Sequence, residues 1–312
     1  MKKTIQKLLL FVFTLFLMSS CSHKKDVYLL LKTTNNPFFT DILDGAKSKA
    51  ESIYNLVPKS GRKEDDIESQ LQALQLIVDE STSNRDDIAG VIITPTSSNG
   101  ELVPLLKKLI DQHIPVIIVD TKIKPEFLKQ AGIDSLPFIA SSNIEGGRQA
   151  GQIIVNSEII KPGDHVLVLN GVDGQETAGA RNKGFHEVVD TSSKKLDVKE
   201  RTANWNRNEA LTITSGLLST GDQFQAIFAA NDEMALGALQ AIKNGNISPI
   251  PIIVGFDAID EAKQSVKSGG LFATIAQSPK QMGEESVNML ISIIDKKPYQ
   301  FTYLIPTVPI KK

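Results

Sequence analysis

"QAIFAANDEMALGALQAIKNGNISPIPIIVGFDA" occupies residues 225–258 and reads as a strand, a helix and a second strand. Its first run, AIFAAN (226–231), and its last, PIIVGFD (251–257), are short, apolar and rich in strand formers, while Glu233 to Asn244 between them has helical spacing. Residues 89–121, AGVIITPTSSNGELVPLLKKLIDQHIPVIIVDT, repeat the same order at nearly the same length. Each unit runs strand, helix, Ile-Pro, then a strand closed by an aspartate. Two βαβ units of matching design, one in each half, predict two similar lobes rather than one large sheet.

The rest of the chain extends the pattern. Strand-like runs are VYLLLK (27–32), GVIITP (90–95), PVIIVD (115–120), PFIAS (137–141), HVLVLNG (165–171) and FATIAQ (272–277), and helical candidates include Glu68 to Glu80 and Asn143 to Asn156. Near-continuous apolar strands separated by helices predict an α/β fold with parallel sheets covered on both faces. In open parallel sheets, ligands bind beyond the carboxyl ends of the strands. Asp120, Asn231, Asp257 and Gln277 all stand at such ends, which places a cleft between the lobes.

The first twenty residues belong to a different problem. Lys2, Lys3 and Lys7 precede an apolar run, Leu8 to Met18, too short to span a bilayer and laid out like an export signal. It ends at Cys21, the only cysteine, so no disulfide within the chain is possible. The segment resembles a bacterial lipoprotein signal, residues 1–20 being removed and Cys21 acylated; an ordinary secretory signal with a chance cysteine is the plain alternative. The whole chain carries 34 basic and 36 acidic residues; loss of the three signal lysines leaves 31 against 36, a formal charge of −5. No long basic run survives, which argues against a nucleic-acid partner. Beyond Lys25 no apolar stretch is long enough to cross a membrane.

The candidate site is built from residues with ordinary alternatives. In TTNNPFFTDILDGAKSKA (33–50), Asn36 suits a helix N-cap and Pro37 the first helical position. Phe38 and Phe39 point about 100° apart on a helix, so one apolar stripe does not easily bury both. Asp120 and Asp257 each fit the N-cap of a following helix, Asn231 shares that option with Asp232, and Arg181 fits a solvated helix charge. Trp205, the only tryptophan, sits among asparagines. Taken together, two carboxylates, a guanidinium, primary amides and aromatic rings are what a sugar or polyol needs: partners for its hydroxyls and flat apolar surface for its C–H faces.

At this point the chain resembles the bacterial periplasmic sugar-binding proteins of the ribose-binding type, over nearly all of the mature sequence. The motifs that carry the likeness are NNPFF (35–39), IPVIIVD (114–120), ASSNIEGGRQAG (140–151), ARNKGF (180–185), ANDEMALGAL (230–239), VGFD (254–257) and ATIAQ (273–277). The resemblance implies ligand contacts at Asn36, Phe38, Phe39, Asp120, Arg181, Asn231, Asp257 and Gln277, with Trp205 as a widened aromatic wall. Thr121 stands where the ribose binder has a ligand-holding arginine, and residues 122–137 are longer than the family's link. It further implies two Rossmann-like lobes, 26–141 plus 278–304 and 142–277 plus 305–312, crossing near Ser141, Gln277 and Leu304 and closing on ligand. The implied partners are a neutral sugar or polyol and an ABC permease, with a receptor or sensor kinase as the alternative; the protein is expected to be exported, held at the membrane by its lipid alone, and monomeric.

Rival functions find less in the residues. There is no GxGxxG, GxxxxGK[ST], GxSxG or HExxH, and His23, His113, His165 and His186 lack metal-ligand spacing. No enzyme activity, cofactor or metal is therefore expected, although Asp120 and Asp257 have the chemistry of a glycosidase pair. A repressor of the lactose type would need a helix-turn-helix where the export signal lies.

Overall fold

The computed structural model describes residues 23–312, so the export signal and Cys21 lie outside the described residues. The first sheet contains β1 (Asp26–Thr33), β2 (Asn55–Gly61), β3 (Ile88–Ile93), β4 (Val116–Val119), β5 (Phe138–Ser141) and β11 (Thr302–Ile305), in the order β11-β5-β4-β3-β1-β2. Every neighbouring pair in it is parallel. The second contains β6 (His165–Asn170), β7 (Asp197–Thr202), β8 (Ala226–Ala229), β9 (Ile252–Asp257), β10 (Ala273–Ala276) and β12 (Val308–Lys311), in the order β12-β10-β9-β8-β6-β7. The two orders match strand for strand, as the internal echo implies.

One strand departs from the expected parallel sheets: β12 runs antiparallel to β10. The reason is topological. β11 ends at the carboxyl side of the first sheet, and only Pro306 and Thr307 separate it from β12. A chain entering the second sheet at its carboxyl edge has to run back against its neighbours.

Ten α-helices cover the two sheets among the described residues. They are α1 (Pro37–Ala50), α2 (Ile67–Ser83), α3 (Val103–Asp111), α4 (Pro125–Gln130), α5 (Asn143–Val155), α6 (Glu176–Val189), α7 (Arg207–Ser219), α8 (Asp232–Asn244), α9 (Asp260–Ser268) and α10 (Pro279–Ile294). Each sheet has an apolar cluster on either face: Leu30, Val91, Ile93 and Ile118 against Leu29, Ile92, Ile117 and Val119 in the first, Leu167, Ile227 and Ile253 against Val168, Phe228 and Val254 in the second. Burial on both faces explains the unbroken apolar runs. The chain passes between the sheets after β5, after β10 and at 306–307; β11 extends through Ile305, one residue past the expected boundary.

Two glycines fix where α6 lies. A Cβ on Gly147 would stand 2.1 Å from the Arg181 carbonyl oxygen, and one on Gly184 would stand 1.9 Å from that of Ile144. The backbones of α5 and α6 therefore touch, and Arg181 is carried on the helix that this contact holds down.

Candidate functional site

The cleft is built from the loops at the carboxyl ends of both sheets. From the first sheet come the β1–α1 turn and the β4 end. Asn36 caps α1 by accepting from the Phe38 amide (3.0 Å), and its Nδ2 donates to Glu64 Oε1 (2.9 Å). Phe38 and Phe39 are both buried and meet edge to face, with centroids 5.1 Å apart at 85°. Both rings border the cavity, so neither needs a second apolar stripe.

Asp120 leaves β4 with φ of +68°, a left-handed conformation that costs energy for a non-glycine residue and collects at functional sites. Its Oδ2 accepts from Lys32 Nζ (3.0 Å) and from the Thr121 hydroxyl (2.8 Å). Lys32 also donates to Thr121 Oγ1 (2.7 Å) and lies over the Phe39 ring, 5.6 Å from its centroid. Lys32 is 1% exposed and Asp120 4%, so this ion pair is held away from water.

The second sheet supplies the facing wall. Arg181 donates Nε to Asn143 Oδ1 (2.9 Å) and Nη1 to the Ala230 carbonyl (2.6 Å) and Asp257 Oδ1 (3.4 Å). Its guanidinium lies 3.8 Å from the Phe256 centroid and 5.5 Å from that of Trp205. A guanidinium clamped by aromatic faces and fixed acceptors is an oriented donor. Asp257 closes β9 with φ of +116° and also accepts from Gln277 Nε2 (2.6 Å); Gln277 Oε1 is buried without a partner. Trp205, with φ of +62°, lies against Gly171, where a Cβ would come within 2.0 Å of the ring. Asn231 caps α8 through the Met234 amide (2.9 Å) and donates Nδ2 to the Trp205 carbonyl (3.3 Å).

A small space between the lobes is bordered by Lys32, Asn36, Phe38, Phe39, Glu64, Asp120, Thr177, Arg181, Trp205, Asn231, Asp257 and Gln277. All of the residues expected at the site are brought together there except Thr121. Thr121 is fully buried one layer behind, holding Asp120 and Lys32. The capping alternative holds for Asn36 and Asn231, which cap and also border the cavity. It does not hold for Asp120 or Asp257, since the residues preceding α4 and α9 are Lys124 and Ile259. Arg181 is buried rather than solvated.

Lys32, Glu64 and Thr177 are the residues that the sequence reading missed. Lys32 had a signal: it ends an apolar run, as Asp120 and Asp257 do. Glu64, in the polar loop before α2, had none.

Burial dominates the electrostatics. It pushes the Glu64 carboxyl up to about 7, against the pull of Lys32 and of the Asn36 amide. It raises Asp257 well above the ordinary carboxylate range, Arg181 acting in the opposite direction. Asp232, fully buried behind Asp257, is raised by the same cause although it accepts from Thr274 Oγ1 (2.7 Å) and the Ile259 amide (2.9 Å). The carboxyl groups at the cavity are Asp120, Asp257 and Glu64 and the cations are Lys32 and Arg181, and both cations are already engaged by protein acceptors. That site disfavours an anion and offers acceptors to hydroxyls.

Known proteins place this geometry in context. The family model described as "Periplasmic binding protein domain" matches residues 27–298. The chain is 35% identical over 274 residues to the ribose import binding protein of Haemophilus influenzae, covering 86% of this chain and 85% of that one. It is 29% identical over 278 residues to the D-allose-binding periplasmic protein of Escherichia coli, covering 89% and 87%. A periplasmic solute-binding protein of an ABC transporter from Actinobacillus succinogenes, solved with bound D-allose, has a TM-score of 0.82 at 26% identity, covering 93% of this chain and 98% of that one.

Proposed function

From the premise that this chain belongs to the periplasmic binding protein domain family, we propose that it captures a neutral sugar or polyol between its two lobes and delivers it to an ABC importer. The observation that carries this reading is the cavity: two strained, buried carboxylates, a clamped guanidinium and primary amides face aromatic rings across a small space. Hydroxyls desolvated there need these partners, since an unpaired buried polar group costs about 1–3 kcal/mol. The protein works by binding and release as a monomer, with no chemical turnover. Ligand favours the closed lobes through its greater affinity for them.

The preferred ligand is a neutral six-membered ring. The relatives carry both ribose and D-allose in their names, so the choice rests on the site. No arginine follows Asp120, Thr121 lies behind the cavity, Lys32 is committed to Asp120, and Trp205 offers a broad face. In calorimetry on protein stripped of co-purified sugar, a hexopyranose or cyclitol binds at least tenfold more tightly than ribose, about 1.4 kcal/mol. A thermal-shift panel gives the same order, with about 2.7 kcal/mol of stabilisation at ligand near 100 times Kd. Ribose as the tightest ligand overturns the choice of ring; no binding by any neutral sugar overturns the function.

Residues 1–20 act as the export signal and Cys21 carries the lipid that holds the protein at the membrane. Wild-type protein then takes up labelled fatty acid and sediments with membranes, and Cys21→Ala abolishes the labelling. Fully soluble, unlabelled wild-type protein would refute the anchor.

A further inference from the structure

Three successive residues at the start of α6 reach across the cleft. Gln175 Nε2 donates to the Thr96 carbonyl (2.5 Å), the Glu176 amide donates to Ser98 Oγ (2.8 Å), and Thr177 Oγ1 lies 3.0 Å from Thr121 Oγ1. Thr96, Ser98 and Thr121 follow β3 and β4 of the first sheet, whereas α6 covers the second. The Glu176 amide is one of the first-turn donors that no helix satisfies internally. Here a hydroxyl of the opposite lobe accepts it, so this helix end is capped only when the lobes meet.

Gln175 has a second bond, on its own side. Its Oε1 accepts from Trp205 Nε1 (2.7 Å), which ties the aromatic wall of the cleft to the residue that crosses it. Beyond Thr96 the chain of bonds continues inward: the Thr96 amide and hydroxyl both donate to Gln70 Oε1 (2.9 and 3.1 Å), and Gln70 Nε2 donates to the Thr94 carbonyl (2.9 Å). Gln175, Thr96 and Gln70 are all at least 95% buried. A primary amide is suited to this place because it accepts from the indole and donates to the carbonyl at once.

We propose that Gln175 is the positioning residue of a closing latch, joining Trp205 on one lobe to the Thr96 carbonyl on the other, so that a ring seated on Trp205 is locked in by closure of the 175–177 segment. This rests on the sugar-binding reading. The Trp205–Gln175 bond lies within one lobe and forms whether the cleft is open or closed. The Gln175–Thr96, Glu176–Ser98 and Thr177–Thr121 contacts form only on closure. Removing the first of these leaves encounter with ligand untouched and weakens the closed state, so the change falls on dissociation.

The test uses the mature chain stripped of sugar, with D-allose, D-ribose and myo-inositol as probes and the emission of the only tryptophan as the signal. Gln175→Leu raises Kd for the best-bound probe at least tenfold, with dissociation at least tenfold faster and association changed less than twofold. Gln175→Glu separates the two roles of the side chain. It retains an acceptor for the indole but sets a carboxylate oxygen against the Thr96 carbonyl, and it too releases ligand at least tenfold faster. Ser98→Ala, on the opposite lobe, shows a several-fold change in the same direction. Unliganded melting temperatures within a few degrees of wild type show that each variant folds. A Gln175→Glu protein with wild-type dissociation reduces Gln175 to a prop for Trp205 and overturns the latch, as does unchanged dissociation in Gln175→Leu. Failure of the wild-type chain to bind any of the three probes overturns the sugar reading and removes the latch with it, an outcome distinct from both.

Discussion

Asp257→Ala lowers affinity for the preferred sugar at least a hundredfold, about 2.7 kcal/mol, while moving the melting temperature of the unliganded protein by only a few degrees. The carboxylate is buried at the end of β9, with a backbone φ of +116° that no packing preference of aspartate explains. Its neighbours are donors, Arg181 Nη1 and Gln277 Nε2, and it caps no helix. A carboxylate so placed accepts from ligand hydroxyls, and charge-assisted bonds of this kind contribute about 1.5–3 kcal/mol each. Folding loses less, because burial already works against the ionised carboxyl and Arg181 retains Asn143 and the Ala230 carbonyl. Asp257→Asn, which preserves shape and removes charge, falls between wild type and alanine. Calorimetry and thermal denaturation of the three proteins check this; an unaltered Kd for the alanine variant would make Asp257 a structural residue only.

Lys32→Met acts on folding as well as on binding. The ammonium and the Asp120 carboxylate are 3.0 Å apart with side chains 2% and 5% exposed, so removing the cation leaves a buried carboxylate to the Thr121 hydroxyl alone. Breaking one side of a buried pair costs about 3–5 kcal/mol. For lobes of this size, where 1 kcal/mol shifts melting by about 2–4 °C, the melting temperature falls by about 6–20 °C. The double variant Lys32→Met with Asp120→Leu recovers most of that loss, since an apolar pair of similar volume carries no stranded charge, but it does not recover ligand affinity. A melting temperature unchanged in Lys32→Met would mean that the pair is reached by water in solution.

How much of this was legible in the sequence depended on burial. β1, β3, β4, β6, β8 and β9 are covered on both faces and announce themselves as apolar runs. β2, β11 and β12 gave no such run. β2 is an edge strand of exposed and half-buried residues interrupted by Pro58, tolerable where one side of the strand pairs with nothing. β11 and β12 are four-residue edge strands with exposed Leu304 and Val308. The site followed the same division. That Asp120, Asn231, Asp257 and Gln277 border the cavity is legible because strand ends mark the cleft, whereas Glu64 and Thr177 reach it from a loop and a helix start whose positions only the tertiary fold decides. Thr121 was placed one layer too far forward, because adjacency to Asp120 says nothing about which way a side chain turns.

The order of the strands also dictates when the fold is finished. A nascent chain grown only to Gln277 has every buried strand of both sheets, yet the first sheet lacks β11 at its edge and α10 on its face, and the second lacks β12. α10 packs along α1 so closely that a Cβ at Gly283 would stand 2.0 Å from the Ile42 carbonyl oxygen, and its Met282, Val287 and Leu290 complete an apolar cluster begun by β1. Apolar surface laid down at the beginning of synthesis thus stays uncovered until its end. Neither lobe is a unit that can mature while the other is still being made, and loss of the last dozen residues strips an edge strand from both at once.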